Sequence, residues 1–415
     1  MDVPRGTNHA PAPASRQPPA RYAAKRQNPS GLQTATSAGA AAIPTNMSSL
    51  RAKATPEQAS STMGLSEISI SNLRCIEQAE LQVPPGLTLV HGGNGSGKTS
   101  LLEAMFTLGR GRSFRTRNSE RLIRRGQAQM RVTGQVQRGS LDPVRIGFEV
   151  TRASTTARVA GRPAESLAEL SEAFAVQVIE PGVHRLVEEG GYRRRRWLDW
   201  AVFHVEPQFV DLWLRYSRVL KQRNAALKTQ DGTVTVWDTD LARLGEAITA
   251  ARQRLMERLE PYWRAASKTL SGLEVELHYL RGWGLEQTLA EALVASRPTD
   301  DLRRQTHVGP HRADVAVRLH GRPARDLLSR GQQKLVAVAM TVAQLRLLQE
   351  VIQMTPTLLL DDPAAELDGE RLQRFIDEVA NLRCQLVVTS LHSGSRLFGT
   401  PESTFHMDAG RVQPV

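Results

Sequence analysis

Apolar and polar residues alternate with a period of two at Ile68 and Ile70, between Glu67, Ser69 and Ser71, and again at Ala79, Leu81 and Val83, between Gln78, Glu80 and Gln82. Such alternation puts one face of a strand into a core and the other into water, so it predicts two half-buried strands. Met130, Val132 and Val136 repeat the pattern, as do Ile146, Phe148 and Val150. Between these pairs, after the turn at Pro85-Gly86, stands the apolar run Leu87-Thr88-Leu89-Val90, the mark of a strand buried on both faces. Behind it Leu101, Leu102 and Met105 recur at helical spacing. The first half therefore reads as a mixed sheet, with a glycine-rich loop and a helix departing after its third strand.

From Gly190 the period lengthens. Leu212, Tyr216, Val219 and Leu220 lie on one helical face, in a stretch read as unbroken from 192 to 229. After a turn at Asp231-Gly232, Leu241, Leu244, Ile248, Ala251, Leu255, Leu259 and Tyr262 repeat at three and four, a seam for a neighbouring helix that Pro261 should end or kink. Strand character returns at 314–319, with a hairpin turn at His320-Gly321. A helix from about Gly331 to Gln353, the run Thr357-Leu358-Leu359-Leu360, a helix near 369–382, the strand 385–389 and a closing turn at Asp408-Ala409-Gly410 follow. The expectation is an α/β domain in two parts, 63–189 and 300–415, with an antiparallel helical arm inserted over 190–299.

Residues 1–62 lack apolar periodicity and are rich in Ala, Pro, Ser, Thr and Gln, a composition that cannot bury enough surface to offset chain entropy. We read them as a disordered extension or as sequence ahead of a true start at Met63, in preference to a transit peptide, whose amphipathic helix the prolines disfavour. The chain carries a net charge of +12, and this tail holds seven Lys/Arg against two Asp/Glu, leaving +7 on the remainder. A basic body points to nucleic acid or another polyanion. Its longest apolar run, 335–343, is about half a membrane span, so no transmembrane segment is expected. Cys75 and Cys384, far apart, read as reduced structural thiols of a cytosolic protein.

The glycine-rich loop carries the most specific chemistry. His91-Gly92-Gly93-Asn94-Gly95-Ser96-Gly97-Lys98-Thr99-Ser100 fits the phosphate-loop pattern G-x-x-x-x-G-K-[ST], set between a strand and a helix. Backbone N–H groups of Gly92 through Ser100 would close around an oxyanion at the helix N-terminus. Lys98 would neutralise β- and γ-phosphate oxygens of ATP, and the Thr99 hydroxyl would ligate magnesium. The apolar run ending at Leu360 leads into Asp361-Asp362: Asp361 is assigned to the metal, and Asp362 to orienting or deprotonating the attacking water. Asp368 follows six residues later. Leu328-Ser329-Arg330-Gly331-Gln332 opens another helix with a hydroxyl suited to an anion, or with nothing more than a serine N-cap.

Together these elements resemble the head of an ATP-binding-cassette ATPase. In that class the signature of one head covers the γ-phosphate held by another, so Ser329, Gly331 and Gln332 would complete the ATP site of a second copy and Ser329 would act in catalysis with Lys98 and Asp362. The resemblance implies a homodimer closing on two ATP molecules. The signature has Arg330 where the class has its first glycine.

The strings Asn72-Leu73-Arg74, Gly111-Arg112-Ser113-Phe114-Arg115-Thr116, Arg194-Arg195-Arg196-Trp197-Leu198-Asp199, Leu220-Lys221-Gln222-Arg223-Asn224 and Gly309-Pro310-His311-Arg312 are similar, in order and spacing, to those of the RecF family of bacterial recombination-repair proteins. The resemblance runs from about Leu65 to the C-terminus. It implies a cytoplasmic, nucleoid-associated, ATP-dependent DNA-binding protein with slow, DNA-stimulated hydrolysis. Such a protein would act on duplex or gapped DNA with RecR and RecO and, through them, help RecA load. Gly93 stands where the family commonly has an acidic residue, Pro363 follows the two acids, and no histidine follows Thr389 directly, which leaves His392 without an assigned role. Acidic residues are scarce between 191 and 228, so Arg194, Arg195, Arg196, Lys221 and Arg223, with Arg110, Arg112 and Arg115 of the loop after the first helix, are candidates for DNA phosphates. The rival readings are a transporter ATPase, which would need a membrane partner, an ATP-gated scaffold without productive catalysis, and a nuclease-linked ATPase, which would need a carboxylate cluster outside the head.

Overall fold

The computed structural model describes residues 63–139, 141–230, 232–365 and 369–415; the tail over 1–62, Asp231 and Asp368 lie outside the described residues. In chain order the elements are β1 (Met63–Leu73), β2 (Ile76–Gln82), β3 (Leu87–His91), α1 (Lys98–Arg110), β4 (Gln129–Arg138), β5 (Leu141–Thr151), β6 (Thr155–Val159), β7 (Arg162–Pro163), α2 (Ala168–Ala173), β8 (Val176–Ile179) and α3 (Arg185–Glu188). The helical part comprises α4 (Gly191–Val205), α5 (Phe209–Thr229), α6 (Asp238–Ser271), β9 (Val275–Leu280) and α7 (Leu289–Arg303). The chain closes with β10 (Asp314–Leu319), β11 (Arg322–Pro323), α8 (Ala324–Leu327), α9 (Arg330–Ile352), β12 (Thr357–Leu360), α10 (Gly369–Ala380), β13 (Gln385–Ser390), β14 (Ser403–Asp408) and β15 (Arg411–Pro414).

The strands before and after the glycine loop do not share one sheet. The alternating strands form an antiparallel sheet of order β2-β1-β4-β5-β6-β7, whereas β3 joins a second sheet of order β15-β14-β3-β13-β12-β8. There β14, β3, β13, β12 and β8 run parallel, in the register Leu89 to Val388 and Leu360 to Ile179. Burial explains the split. All four residues of β12 and all six of β13 are buried, as a parallel strand covered on both faces requires, while β2 and β4 bury alternate residues. Helix α1 lies between the sheets, with Leu101, Leu102, Met105 and Leu108 fully buried against Ile68, Ile70 and Val132.

The stretch read as one helix breaks at Glu206-Pro207-Gln208 into α4 and α5, since Pro207 supplies no N–H to continue the ladder. Pro261 does not end α6, which continues ten residues to Ser271, where Trp263, Ala266 and Leu270 are buried and hold its last turns. The seam from Leu241 to Leu259 is buried, and α6 packs on α9 and α5. One apolar cluster joins Leu244, Ile248 and Leu255 of α6 to Val336, Met340 and Leu347 of α9, so the change of element type at 190 and 299 is not a break in the core. Strand β9 also pairs with β10 across that border. Helix α9 is long and apolar enough to cross a membrane by composition, yet 72% of its apolar window is buried inside the fold, where it serves as a core helix. Gln344 Nε2 on α9 donates to the Trp197 carbonyl at 2.8 Å and Trp197 Nε1 donates to the Met340 carbonyl at 3.3 Å, stitching α4 to it.

Candidate nucleotide site and basic surface

The parallel strands β3, β12 and β13 end side by side, and the loops leaving them form the site. The loop from β3 turns on Gly95 and Gly97, at φ 77° and 114°, in the left-handed region that glycine enters without penalty. Its underside is closely packed: a Cβ on Gly97 would stand 2.7 Å from Met407 Cε and 2.8 Å from Cys75 Sγ. The hairpin turn at Gly410 adds a brace, its N–H donating to the Ser96 carbonyl at 2.8 Å. At Gly93 and Gly95 a Cβ would meet nothing within 4 Å, so the upper face is open to a phosphate chain. Lys98 Nζ donates to the carbonyls of Gly92 and Gly93 at 2.6 and 2.9 Å, which holds the ammonium over the cradle. The Ser96 hydroxyl is buried with no protein partner among the described residues, an orphan polar atom inside that cradle. We expect Gly97→Ala to weaken ATP binding at least tenfold, measured by equilibrium titration, because the αL backbone and the packing beneath both oppose a Cβ.

The two proposed metal ligands touch. Thr99 Oγ1 donates to Asp361 Oδ2 at 2.8 Å, although 262 positions separate them. Thr389 at the end of β13 supports this contact: its Oγ1 donates to Asp361 Oδ1 at 2.9 Å and accepts from the Asp362 N–H at 2.9 Å. A hydroxyl and a carboxylate are hard oxygen donors suited to magnesium, which keeps waters and takes phosphate oxygens in its remaining positions. Among the described residues no cluster of three or more His, Cys, Asp and Glu could hold a metal alone.

Asp362 takes φ 46° at the start of the turn before Pro363, and its side chain is part exposed, beside the buried Asp361. Burial raises its carboxyl above the ordinary range; Lys98 and His392 oppose the rise and Asp361 adds to it. His392, which sequence reasoning left without a role, thus lies within electrostatic reach of Asp362. Thr389 and Glu180 were missed. Glu180 follows β8 and borders the same recess as Asp361 and Lys334. Only the register of the parallel sheet, invisible in a linear pattern, reveals them.

Ser329 is the N-cap of α9 in a capping box: the Gln332 N–H donates to Ser329 Oγ at 3.3 Å and the Ser329 N–H donates to Gln332 Oε1 at 3.0 Å. Ser329 is exposed, and among the described residues its side chain engages only Gln332, not the phosphate loop of its own chain.

Residues 64–402 match the family model of the RecF/RecN/SMC N-terminal domain. The chain is 40% identical over 365 residues to the DNA replication and repair protein RecF of Stenotrophomonas maltophilia, covering 85% of this chain and all of that one. It is 38% identical to the RecF of Thioalkalivibrio sulfidiphilus over 85% of this chain and 99% of the relative. The chain belongs to the RecF family. A solved structure of the recombination mediator protein RecF with ATP, of the RecFOR pathway, superposes with a TM-score of 0.79 at 26% identity, over 87% of this chain and 100% of the other. An Smc head bound to the C-winged helix domain of ScpA, at TM-score 0.51 and 16% identity over 85% of this chain and 96% of the other, shares the fold alone. The architecture is that of an ATP-binding-cassette-type ATPase head carrying a helical insert.

Most RecF-like strings meet inside this fold rather than on its surface. Arg74 donates through Nε and Nη2 to Glu103 of α1 at 2.9 Å each, and Ser113 and Arg115 approach the same fully buried carboxylate. Arg252 joins Asp199 to the Pro310 carbonyl, and Tyr216 hydrogen-bonds His311 Nδ1 at 2.6 Å. Burial and nearby arginines take the His311 imidazole down to about 4.

Two arginines leave the DNA-contact set for the same reason. Arg223 is 0% exposed and pairs with Asp238 at 2.6 Å and Asp300 at 2.7 Å. Arg194 pairs with Asp314 at 2.8 Å and caps the carbonyls of Leu186, Val187 and Glu189. Their acidic partners, Asp238, Asp300 and Asp314, all lie beyond the interval from 191 to 228, which is why the local charge count misled. Arg110 is also buried, its guanidinium 5.2 Å from the Trp200 ring centroid, and a phosphate on an outer surface does not reach it. Arg195 is half-buried and donates to the Ala313 carbonyl. Arg115 and Lys221 are exposed, and Arg112 and Arg196 are part exposed.

Proposed function

We propose that this chain is an ATP-switched DNA-binding protein of recombinational repair: ATP closes a homodimer, the dimer holds duplex or gapped DNA, and slow hydrolysis opens it. The observation that carries the reading is the contact of Thr99 with Asp361, which joins the phosphate loop to the acidic strand in the arrangement a magnesium nucleotide requires. Lys98 and the loop N–H groups would hold the phosphates, Thr99 and Asp361 the metal, and Asp362 would orient water. Magnesium, when bound, neutralises charge that develops on the phosphate oxygens. The exposed Ser329 and its helix N-terminus, unengaged with their own loop, support a role over the nucleotide of a second copy, together with Gly331 and Gln332. By likeness to the recombination mediator the partners would be RecR and RecO, and RecA through them.

Burial raises the Asp362 carboxyl above its ordinary range, the direction that makes a carboxylate a stronger base. Asp362→Asn is expected to slow single-turnover hydrolysis by about 100-fold or more while ATP affinity changes little. Hydrolysis at an unchanged rate would move catalysis away from Asp362, and equal DNA release by this variant would favour the scaffold reading. In the wild type the rate should fall as pH drops through the Asp362 pKa, because the protonated acid no longer accepts a proton.

Arg115, Lys221 and the half-buried Arg195 remain for DNA phosphates, joined by the exposed Arg117 and Arg218 of the same loop and helix, while Arg112 and Arg196 line an inner cavity; Arg117 lies over the Tyr192 ring at 4.3 Å. Aromatic residues are sparse among these cations in the described residues, which favours backbone contact over base stacking, so binding should be insensitive to sequence and steeply dependent on salt. If about five phosphates are engaged, the slope of log K against log salt is roughly −4.5. Fluorescence anisotropy at several salt concentrations would measure it, and a slope near zero would contradict the backbone-contact reading.

A further inference from the structure

At the far end of α1 from the phosphate loop, a cavity of 140 Å³ opens between α1, β8 and α4. Its floor is apolar, with Phe106, Phe114 and Val178, and its polar wall is largely arginine: Arg110, Arg112 and Arg196. Arg110 is 8% exposed, and neither its Nη1 nor the Nε of Arg112 has a hydrogen-bond partner among the described residues. The other charged groups at the cavity are already engaged, Glu180 by Arg185 and the Gly182 N–H, and Arg193 by Glu189. Among the described residues Arg196 makes a long contact to the Tyr192 hydroxyl, at 3.4 Å, beside its ring. Three guanidinium groups thus converge without a free carboxylate between them.

Burying unpaired charge is costly, and like charges raise that cost. The guanidinium groups respond as expected, with Arg112 taken down to about 9 by burial and by Arg196. The C-terminal end of α1 carries a negative partial charge, so here an anion depends on the arginines rather than on the helix. Guanidinium donors in a fixed fork match the oxygens of a phosphate. The volume suits several water-sized groups, enough for one tetrahedral oxyanion.

We propose that this pocket is a second anion site, binding one phosphate group in the fork of Arg110, Arg112 and Arg196. It is distinct from the nucleotide site: α1 is 13 residues long, so Lys98 and Arg110 lie about 18 Å apart along the helix. The recess suits a free phosphate or diphosphate, whose oxygens are unobstructed, better than a backbone diester flanked by sugars. An occupant would balance the charge of the three guanidinium groups that line the cavity and tie the end of α1 to α4, on the helix that begins at the phosphate loop.

The test is isothermal titration of the full chain with inorganic phosphate and with diphosphate, in saturating non-hydrolysable ATP analogue. The expected result is one saturable site, weakened about tenfold by Arg112→Gln and likewise by Arg196→Gln. Both residues are part exposed, so neither variant opens a core cavity as Arg110→Gln would. Phosphate held at the nucleotide loop would respond to neither substitution, which separates this site from a failure of the ATP reading. No saturable binding, or binding indifferent to both substitutions, overturns the proposal. Adding covalently closed duplex identifies the source: retained phosphate supports a free anion, and displacement supports the same pocket filled by a DNA phosphate.

Discussion

Lys98→Ala is expected to lower ATP affinity about a hundredfold and to remove ATP-dependent retention on DNA. The ammonium is buried to 8% exposure and lies over the loop through the Gly92 and Gly93 carbonyls, ready to exchange those oxygens for phosphate oxygens. A charge-assisted hydrogen bond is worth about 1.5–3 kcal/mol, and Lys98 would make one to each of two phosphates. Removal leaves the loop backbone and α1 intact, so the folded state should persist with a near-normal melting temperature. Filter binding with and without ATP reads the effect on DNA. Retention by the variant equal to that of the wild type would refute the switch, whatever became of hydrolysis.

Arg223→Met should cost about 3–5 kcal/mol of stability, a loss usually reserved for large core truncations. Arg223 and Asp300 are both 0% exposed, and Asp300 also accepts from the His307 N–H at 2.9 Å. Without the guanidinium, Asp238 and Asp300 lose their shared hydrogen-bond donor in a largely buried site. The exposed pair of Arg215 and Asp211, each 60% exposed at the side chain, provides the control: Arg215→Met should cost less than about 1 kcal/mol. Urea unfolding of both variants compares the two directly. A midpoint for Arg223→Met indistinguishable from that of Arg215→Met would show that the buried network does not hold α5 to α7.

These two positions also mark where the linear sequence was informative and where it was not. The phosphate loop was legible because its chemistry is local: glycines, lysine and threonine in fixed order between a strand and a helix. Asp361 was legible because an apolar parallel strand ending in acid is a short pattern with one common use. Thr389 was not, since it acts only through the register of β13 beside β12. Arg223 misled for the same reason in reverse. Counting acids near it along the chain hid Asp300, which lies 77 positions away and 2.7 Å from its Nη1. The division into two sheets was hidden too, although the alternating β2 and β4 and the continuously apolar β12 and β13 already carried different burial patterns. Helix α6 passing through Pro261 shows tertiary packing overriding a local breaker.

The phosphate loop, Thr99 and Asp361 make one part of a site, and Ser329 stands exposed on another helix with no part in it within its own chain. A second copy would bring the two together. Light scattering coupled to size-exclusion chromatography, with and without magnesium ATP, tests this most directly. On ATP the mass should shift from the monomer value of 45.8 kDa to twice that value, a shift abolished by Lys98→Ala and by Ser329→Arg, with ATP still bound by the Ser329 variant. A chain that stays at monomer mass while saturated with ATP would contradict it.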